Sequence, residues 1–256
     1  MSIIYSIVNQ KGGVGKTTTA VSIASILGKK GNKTLLIDFD PQSNATSGLG
    51  LYEDNYTYTI YDALMKNVEI QKAVYPTAIS NLYILPSSQD LSGAEIELVS
   101  EFNRERFLQN CLADIKDDFD YIIIDCPPSL GLLTINALTT SDFVLIPVQS
   151  EYYALEGLAR LTNTIEMIKQ ALNPKLELKG ILMTMFDKRV ALSKQVEDEA
   201  RSFFNEQVFK TMIPRNVRLS EAPSFGEPII LYDKKSKGAK AYKNLVKEIF
   251  YEQKTR

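Results

Sequence analysis

A glycine-rich segment near the start of the chain constrains the fold more than any other feature. It reads Gln10-Lys11-Gly12-Gly13-Val14-Gly15-Lys16-Thr17-Thr18. Its residues Gly15-Lys16-Thr17 match the end of the phosphate-binding pattern G-x-x-x-x-G-K-[ST]. An additional lysine, Lys11, stands ahead of the glycines. Glycines let backbone N–H groups approach phosphate oxygens, the Lys16 ammonium neutralises terminal phosphates, and the Thr17 hydroxyl ligates Mg²⁺. The segment therefore predicts a nucleotide phosphate site.

The residues on either side supply the structural context that such a loop requires. Before it, residues 3–8 form a short apolar run that is typical of a buried parallel strand. After it, apolar residues from Ala20 to Leu27 recur at helical spacing, and Gly28 and Gly31 mark the end of that helix. A strand, a glycine loop and a helix in this order place the positive end of the helix dipole at the phosphates.

Composition narrows the class of protein. The 256 residues are 45% hydrophobic and 23% charged, and we expect one soluble, cytoplasmic domain over residues 1–256. We find neither an apolar stretch near the roughly 20 residues of a membrane span nor a basic leader typical of a signal peptide. The absence of histidine excludes histidine acid–base catalysis and histidine-bound zinc. Cys111 and Cys126 are expected to be reduced and structural.

Apolar runs alternate with helical patterns along the whole chain. The predicted strands cover residues 3–8, 34–37, 82–85, 121–124, 143–146, 178–183 and 229–230. The predicted helices include residues 104–116, 131–140, 155–171, 192–206 and 238–252. This alternation predicts an α/β fold, with a single three-layer domain whose mostly parallel, twisted sheet carries helices on both faces. Ligands of such sheets bind at the carboxyl ends of the strands.

Aspartates follow two of the predicted strands. Asp38 and Asp40 come after residues 34–37, and Asp125 comes directly after residues 121–124. Four apolar residues followed by an aspartate form the Walker B pattern, whose carboxylate holds Mg²⁺ directly or through water. We predict that Asp40 and Asp125 serve the metal and that Asp40 orients the attacking water. Asp38 is expected to contact the phosphate loop or a magnesium-bound water. On its own, either strand-end aspartate is also typical of a helix cap.

Charge is unevenly distributed along the chain. Residues 188–256 carry 15 Lys and Arg against 9 Asp and Glu, a net charge of +6, whereas the residues before them carry 14 against 22, a net charge of −8. A basic C-terminal third on a chain of net charge −2 indicates a local anion-binding surface. A solvated lysine-rich helix is the alternative explanation.

Four segments together carry a resemblance to one family. They are Lys11-Gly12-Gly13-Val14-Gly15-Lys16-Thr17-Thr18, Asp38-Phe39-Asp40-Pro41-Gln42-Ser43-Asn44, Tyr121-Ile122-Ile123-Ile124-Asp125-Cys126-Pro127-Pro128 and Ile213-Pro214-Arg215-Asn216-Val217-Arg218-Leu219-Ser220-Glu221-Ala222-Pro223. From residue 3 to about residue 250 the chain looks like the ParA/Soj chromosome-partitioning ATPases, which are P-loop NTPases of the deviant Walker A type. The resemblance implies a slow ATPase for chromosome or plasmid partitioning that binds ATP, its product ADP, and Mg²⁺.

The same resemblance implies roles in the ATP site. Lys11 would be the signature lysine that reaches across an ATP-sandwich homodimer to the phosphates of the partner's nucleotide, as a cation supplied in trans. Glu151 would lie near the dimer interface, and Pro214 and Asn216 would border the adenine. The implied catalytic residues are Lys11, Lys16 and Asp40, and the implied metal ligands are Thr17, Asp40 and Asp125. The implied ATP-binding residues are Lys11, Gly12, Gly13, Val14, Gly15, Lys16, Thr17, Thr18, Pro214 and Asn216.

The resemblance further implies DNA binding. In this family the ATP-bound dimer binds double-stranded DNA non-specifically and associates with the nucleoid, and a ParB/Spo0J-like centromere-binding partner stimulates hydrolysis and release. Arg189 and Arg218 fall at matching positions for phosphate contacts, which are independent of sequence and sensitive to salt. Further candidates for this surface are Lys188, Arg215, Lys235 and Lys237. Val190, Ala191 and Phe225 depart from the polar residues expected there. We expect no N-terminal helix-turn-helix domain.

Three alternatives are left open by the sequence. The first is a MinD-like, membrane-associated ATPase of the same superfamily, in which the apolar stripe within residues 245–250 would lie on lipid. A docked final helix explains that stripe equally, and we expect no membrane partner. The second is a small-molecule enzyme of this fold, or an iron–sulfur carrier in which Cys126 ligates across a dimer. The third is a regulator of replication initiation that acts through contact with the initiator protein.

Overall fold

The computed structural model of the protein describes residues 2–151 and 154–251. Within them, seven strands form one sheet, and eleven α-helical segments and several short 3₁₀ turns connect the strands. The strands are β1 (Ile3–Ile7), β2 (Thr34–Asp38), β3 (Tyr75–Pro76), β4 (Leu82–Leu85), β5 (Tyr121–Asp125), β6 (Phe143–Gln149) and β7 (Glu177–Thr184). The helices are α1 (Lys16–Lys29), α2 (Asn44–Ser47), α3 (Ile60–Leu64), α4 (Leu91–Glu97), α5 (Phe107–Leu112), α6 (Leu132–Thr140), α7 (Ala154–Ala171), α8 (Ala191–Phe204), α9 (Val217–Glu221), α10 (Ile229–Tyr232) and α11 (Lys237–Phe250).

The order of the strands brings the predicted site together. Across the sheet the order is β3-β4-β2-β5-β1-β6-β7, and all pairings are parallel except that of the short edge strand β3. Asp125 at the end of β5 is in register with Asp38 at the end of β2 on one side and with Ile7 at the end of β1 on the other. The glycine loop follows β1 directly. The register alone therefore places both aspartates beside that loop, at the carboxyl edge of the sheet.

The alternating direction of side chains along the strands explains why helices cover both faces of the sheet. In β2, Leu35 and Ile37 belong to one hydrophobic core and Leu36 belongs to the other, because successive side chains of a strand point to opposite faces. The core around Leu36 lies beneath α1, α2, α10 and α11. The opposite core lies beneath α3 to α8. The predicted three-layer α/β fold with a mostly parallel sheet is thus confirmed.

Two predicted elements are wrong in kind or extent. Ile229–Ile230 is not a strand but the start of the helical turn α10. Pro228 precedes this turn and both isoleucines are buried in the layer of helices beside α1, so the apolar pair has no strand beside it. The predicted helix over residues 104–116 is α-helical only over α5. Asn103 adopts a left-handed conformation, and residues Arg104–Arg106 form a 3₁₀ turn before α5 begins.

The sequence pattern also does not predict the edge strand β3, since its two residues include a proline. A proline lacks the N–H group that a strand donates. At the other end of the chain, α11 ends at Phe250, and residue 252 of the predicted helix lies outside the described residues. Neither difference affects the carboxyl edge of the sheet.

The apolar stripe of α11 packs inside the molecule. Leu245, Val246 and Ile249 are buried, and the buried Tyr242 hydroxyl lies 3.0 Å from the Thr19 hydroxyl of α1. This docked arrangement accounts for the stripe without a lipid surface. Over the described residues, we find no helix with the length and apolar character needed to cross a membrane.

Candidate nucleotide site and basic surface

The glycine loop connects β1 to α1 through two backbone conformations that favour glycine. Gly13 has φ +75° and Gly15 has φ +89°, which lie in the left-handed region where a side chain is strained. A Cβ atom added at Gly12 would meet nothing within 4 Å, so the loop borders open space. Gly15 starts α1 without a side-chain cap, and the first N–H groups of a helix have no partner within it. These features together form an anion site.

Lys16 is a buried cation inside this loop. Its Nζ donates to the Lys11 backbone carbonyl at 3.2 Å, which folds the side chain back along the loop. Burial lowers the pKa of the Lys16 ammonium, while the nearby carboxylates of Asp125 and Asp40 act in the opposite direction. A cation held in this way is available to phosphate oxygens that enter the loop.

Asp125 is the least satisfied polar group near the loop. Both of its carboxylate oxygens are buried and have no hydrogen-bond partner among the described residues. Burial raises the pKa of the Asp125 carboxyl well above its usual range, and the Asp38 carboxylate adds to the rise. The nearby Thr17 hydroxyl and Lys16 ammonium favour the charged form of this carboxyl. Neither group is within hydrogen-bonding geometry of its oxygens. A buried carboxylate that accepts no hydrogen bond is stabilised by an additional cation.

These residues fit a magnesium ion that arrives with a nucleotide. Mg²⁺ keeps several waters and is bound by one or two carboxylates together with substrate phosphates, so it needs no cage built by the protein. Accordingly, the part of the chain that the structure describes holds no cluster of three or more acidic, histidine or cysteine side chains able to bind a metal by itself. Thr17 and Asp125 are the groups that would hold the ion.

The two aspartates after β2 differ in their surroundings. Asp38 accepts the Thr46 N–H at 2.8 Å, the Thr46 hydroxyl at 2.7 Å and the Asp40 N–H at 3.3 Å. Its carboxylate therefore holds α2 through Thr46, and the expectation that Asp38 also contacts the phosphate loop or a magnesium-bound water stays a prediction. Among the described residues, the Asp40 side chain accepts one hydrogen bond, from the Gln42 N–H at 3.0 Å, and its charge acts on the pKa of Lys16.

Two residues that the sequence analysis missed hold the loop in place. The Asn9 amide donates to the Pro147 carbonyl at 2.7 Å and its oxygen accepts the Lys11 N–H at 2.9 Å. The Thr184 hydroxyl donates to the Val14 carbonyl at 2.8 Å. Asn9 lies two residues past the end of β1, and Thr184 is the last residue of β7. Both are thus polar residues at the carboxyl end of an apolar strand. That position is the sequence signal that could have identified them.

Lys11 is paired with a glutamate at the surface of the glycine loop. Its ammonium forms an ion pair with Glu151, and both side chains are about half exposed. They lie at a groove lined also by Val148, Gln149 and Gly157. Glu151, expected near a dimer interface, is thus placed against Lys11, the residue expected to cross that interface.

The residues expected to border the adenine lie outside the described lining of the cleft beside α1. A narrow cleft runs from Thr18 at the start of α1 to Leu219 of α9. Pro214 and Asn216 immediately precede α9 and are absent from the lining of this cleft as described. The Asn216 side-chain oxygen is buried with no hydrogen-bond partner in the described chain. It is therefore an acceptor available to a ligand donor.

One half of the predicted basic surface surrounds Asp187. The Arg189 guanidinium binds both Asp187 oxygens, at 3.0 and 2.7 Å. Hydrogen bonds from Arg189 and the charge of Arg215 lower the pKa of Asp187 to about 2. A backbone bridge between Phe186 and Pro214 brings the two segments together, so Arg189, Arg215 and the exposed Lys188 share one surface.

The other half surrounds Arg218. Its guanidinium donates to Glu221 at 2.9 Å and lies 3.7 Å from Asp233. It also lies over the Tyr232 ring, at 5.9 Å from the centroid, and the exposed Phe225 stacks on that ring. Lys235 lies two residues after Asp233, and its backbone N–H donates to the Asp233 side chain. The exposed Lys237 begins α11. Arg189 and Arg218 are therefore each paired with at least one carboxylate.

Comparisons with known proteins agree with this geometry. A family model described as an AAA domain matches residues 1–178. The chain is 56% identical over 246 residues to the chromosome partitioning protein ParA of Myxococcus xanthus, covering 96% of this chain and 87% of that relative. It is 53% identical to the sporulation initiation inhibitor protein Soj of Bacillus subtilis, covering 97% and 98%. A solved structure of cobyrinic acid a,c-diamide synthase from Mycobacterium smegmatis, with bound ADP and magnesium, aligns with a TM-score of 0.84 at 37% identity, covering 96% and 93%.

Burial of Asp38 makes the stability of the ligand-free protein depend on pH. Burial raises the pKa of this carboxyl to about 6, against about 3.9 for an unfolded aspartate. Below the unfolded value both states are protonated and burial is not penalised. As the pH rises through the folded value, the carboxyl ionises in a buried site, so stability is lost.

We predict that the wild type loses unfolding free energy relative to Asp38→Asn between about pH 4 and pH 7, by up to about 3 kcal/mol. The asparagine stays neutral and keeps an acceptor for Thr46, while Asp125 is present in both proteins. Urea unfolding at each pH, without nucleotide or Mg²⁺, measures the difference. A difference that does not change with pH would contradict the prediction.

Proposed function

The chain belongs to the ParA/Soj family of chromosome-partitioning ATPases, and from that premise we propose that it is an ATP-driven switch for DNA segregation. In this proposal ATP and Mg²⁺ bind at the glycine loop, two copies of the chain enclose two nucleotides, and the dimer binds DNA through phosphates. Hydrolysis stimulated by a ParB-type partner releases the DNA. The observation that carries the proposal is the unpartnered, buried Asp125 carboxylate beside Lys16 and Thr17.

The ATP site is proposed to work mainly by charge placement. Lys16 and the N–H groups of the loop would hold the phosphates, and Thr17 and Asp125, with Asp40 directly or through water, would hold Mg²⁺, which would supply positive charge to the transferring phosphoryl group. Asp40 is proposed to orient the attacking water, directly or beside the metal. Its position supports this role, because Asp40 lies past the end of β2 and near Lys16, whereas Asp38 is bound to Thr46.

We predict that Asp40→Ala lowers ATP turnover by about 10²-fold or more, the usual effect of removing a group that acts on the proton of the nucleophile. Binding of ATP should change little, because Lys16 and the loop are intact. Phosphate release and nucleotide binding are measured on the same preparations. Asp54→Ala, at an exposed aspartate outside the site, is the control. Wild-type turnover in Asp40→Ala would contradict the assignment.

Lys11 is proposed to complete the active site of a second copy. Its ion pair with Glu151 is half exposed, and pairs of this kind contribute only about 0–1 kcal/mol. The lysine can therefore exchange Glu151 for the triphosphate of the partner's nucleotide, which carries more negative charge. A cation supplied in this way stabilises charge on the transferring phosphoryl group and makes dimer formation depend on ATP.

We predict that Lys11→Ala weakens dimer formation in the presence of ATP and Mg²⁺ by about tenfold or more, which corresponds to one lost charge-assisted contact. Sedimentation velocity over a range of protein concentrations measures the dimer. Lys72→Ala is a matched control, since Lys72 is also an exposed lysine paired with a glutamate. Dimer formation equal to the wild type would show that Lys11 has no part in it.

DNA binding is proposed to require an exchange of partners at the basic surface. Arg189 and Arg218 are held by Asp187 and by Glu221 with Asp233. A DNA phosphate must compete with these carboxylates, so they limit affinity. This arrangement supports weak, sequence-independent binding that a dimer strengthens by presenting two such surfaces at once.

We predict opposite effects of two substitutions in one ion pair. Arg189→Ala should weaken DNA binding and reduce the slope of log affinity against log salt by about 0.9 for each lost phosphate contact. Asp187→Asn should strengthen binding about two- to fivefold at the same salt, because it removes the competing carboxylate. Fluorescence anisotropy with duplex DNA and ATP measures both. Arg160→Ala, in an exposed ion pair on α7, is the control. Unchanged binding in Arg189→Ala at every salt concentration would exclude this arginine.

The alternatives have less support. The stripe on α11 is buried, which does not favour a MinD-like membrane contact. Cys126 is fully buried, and burial raises the pKa of its thiol, which disfavours the thiolate that binds a cluster. Contact with a replication initiator, the ParB-type partner, the single domain over residues 1–256 without a helix-turn-helix domain, and association with the nucleoid all stay predictions.

A further inference from the structure

An apolar surface at the end of α4 has no role in the function described above. Ile96, Val99 and Phe102 are 79%, 56% and 88% exposed, and we name these three side chains the α4 patch. Leu91 and Leu98 on the opposite side of the same segment are buried. Single exposed apolar side chains are ordinary, whereas several together mark a surface that binds another molecule.

The α4 patch lies in an acidic stretch of chain. Residues 73–103 contain no lysine or arginine. The acidic residues of this stretch are Asp90, Glu95, Glu97 and Glu101. The nearest cation in sequence is Arg104, which donates to the Val99 carbonyl at 2.6 Å and pairs with Glu105 at 3.2 Å. Exposed apolar side chains and a surplus of carboxylates therefore occur in one stretch of chain.

A groove beside the patch has the same character. Its volume is about 570 Å³, and Phe102 forms part of its wall together with Phe107. The charged residues that line the groove are Lys66, Glu69, Glu101 and Asp114. Glu69 is paired with Lys72 at 3.3 Å, so the groove and this neighbour together carry two cations against three carboxylates. The groove therefore extends the acidic, partly apolar surface and provides space for side chains of a ligand.

We propose that the α4 patch and this groove bind a basic, amphipathic helical segment of another protein. Apolar side chains of such a segment would cover Ile96, Val99 and Phe102, while its lysines or arginines would face the carboxylates. A second copy of the same surface would bring like charges together. Anionic lipid and nucleic acid would be repelled by the same carboxylates. Charge complementarity thus selects one class of occupant.

One hydrogen bond joins the helix that carries the patch to α6. Glu95, on the same helix as Ile96, accepts the Leu133 N–H at 3.4 Å. Leu133 lies in the first turn of α6, which follows the loop after Asp125. A segment bound to the patch would therefore contact a helix that is hydrogen-bonded to the start of α6. The proposal of a binding surface does not depend on the proposed function.

Binding of a synthetic helix to the full chain tests the proposal. The probe is a labelled peptide of about 18 residues, long enough for roughly five turns, with leucines on one face and lysines on the other. One control peptide replaces the leucines with serine, and a second replaces the lysines with glutamate. The protein variants are Ile96→Ser/Phe102→Ser and, as a matched control, Met167→Ser/Phe203→Ser, which removes two apolar side chains that are 69% and 70% exposed elsewhere.

We expect the leucine–lysine peptide to bind the wild type and the control variant equally, and the patch variant about tenfold or more weakly. Both control peptides should bind weakly to all three proteins. Because the substituted side chains are exposed, thermal unfolding should show all proteins folded. Equal binding to wild type and patch variant, or equal binding of the serine–lysine peptide, would overturn the proposal. A change of the chain's own oligomeric state in the patch variant alone would also overturn it, in favour of a second copy as occupant.

Discussion

Two carboxylates buried side by side at the ends of β2 and β5 are the constraint on which the rest of the site depends. Parallel pairing sets Asp38 opposite Asp125, and burial raises the pKa of both. Such an arrangement is unfavourable unless each negative charge is compensated. Asp38 is compensated locally through Thr46. Asp125 has only the nearby Lys16 and Thr17, so its pKa stays well above the usual range, and a cation from outside the chain would favour its ionised form.

This incomplete compensation connects the fold to its ligand. A nucleotide with Mg²⁺ would supply positive charge to Asp125 and negative charge to Lys16 and the loop. The charges of the ligand and of the site would then compensate each other. A ligand shifts a conformational equilibrium only by the difference in its affinity for the two states. Here that difference arises at Asp125 and, in the proposed dimer, at Lys11, which exchanges Glu151 for a phosphate. In the proposed function, the same kind of exchange, from carboxylate to phosphate, takes place at Arg189 and Arg218 on the surface.

Much of the fold and part of the site could be predicted from the sequence. The glycine loop, the strand-end aspartates and the alternation of elements are local patterns with a physical cause, and the parallel sheet brings them together. The bonding partner of Asp38 could not be predicted, because Thr46 becomes its neighbour only when α2 folds back. The ion pairs of Arg189 and Lys11 depend on side-chain packing in the same way. Ile229–Ile230 is too short for its period to distinguish a strand from a helix, and the exposure of the α4 patch depends on which face of α4 the core covers.

The proposed switch requires that DNA affinity depends on the nucleotide. The most direct test is the affinity of the wild-type protein for duplex DNA, measured against salt concentration with ATP and Mg²⁺, with ADP and Mg²⁺, and without nucleotide. We predict binding about tenfold or more tighter with ATP than in the other two states, with a steeper dependence on salt because a dimer contacts more phosphates. Equal affinity and equal salt dependence in all three states would contradict the switch.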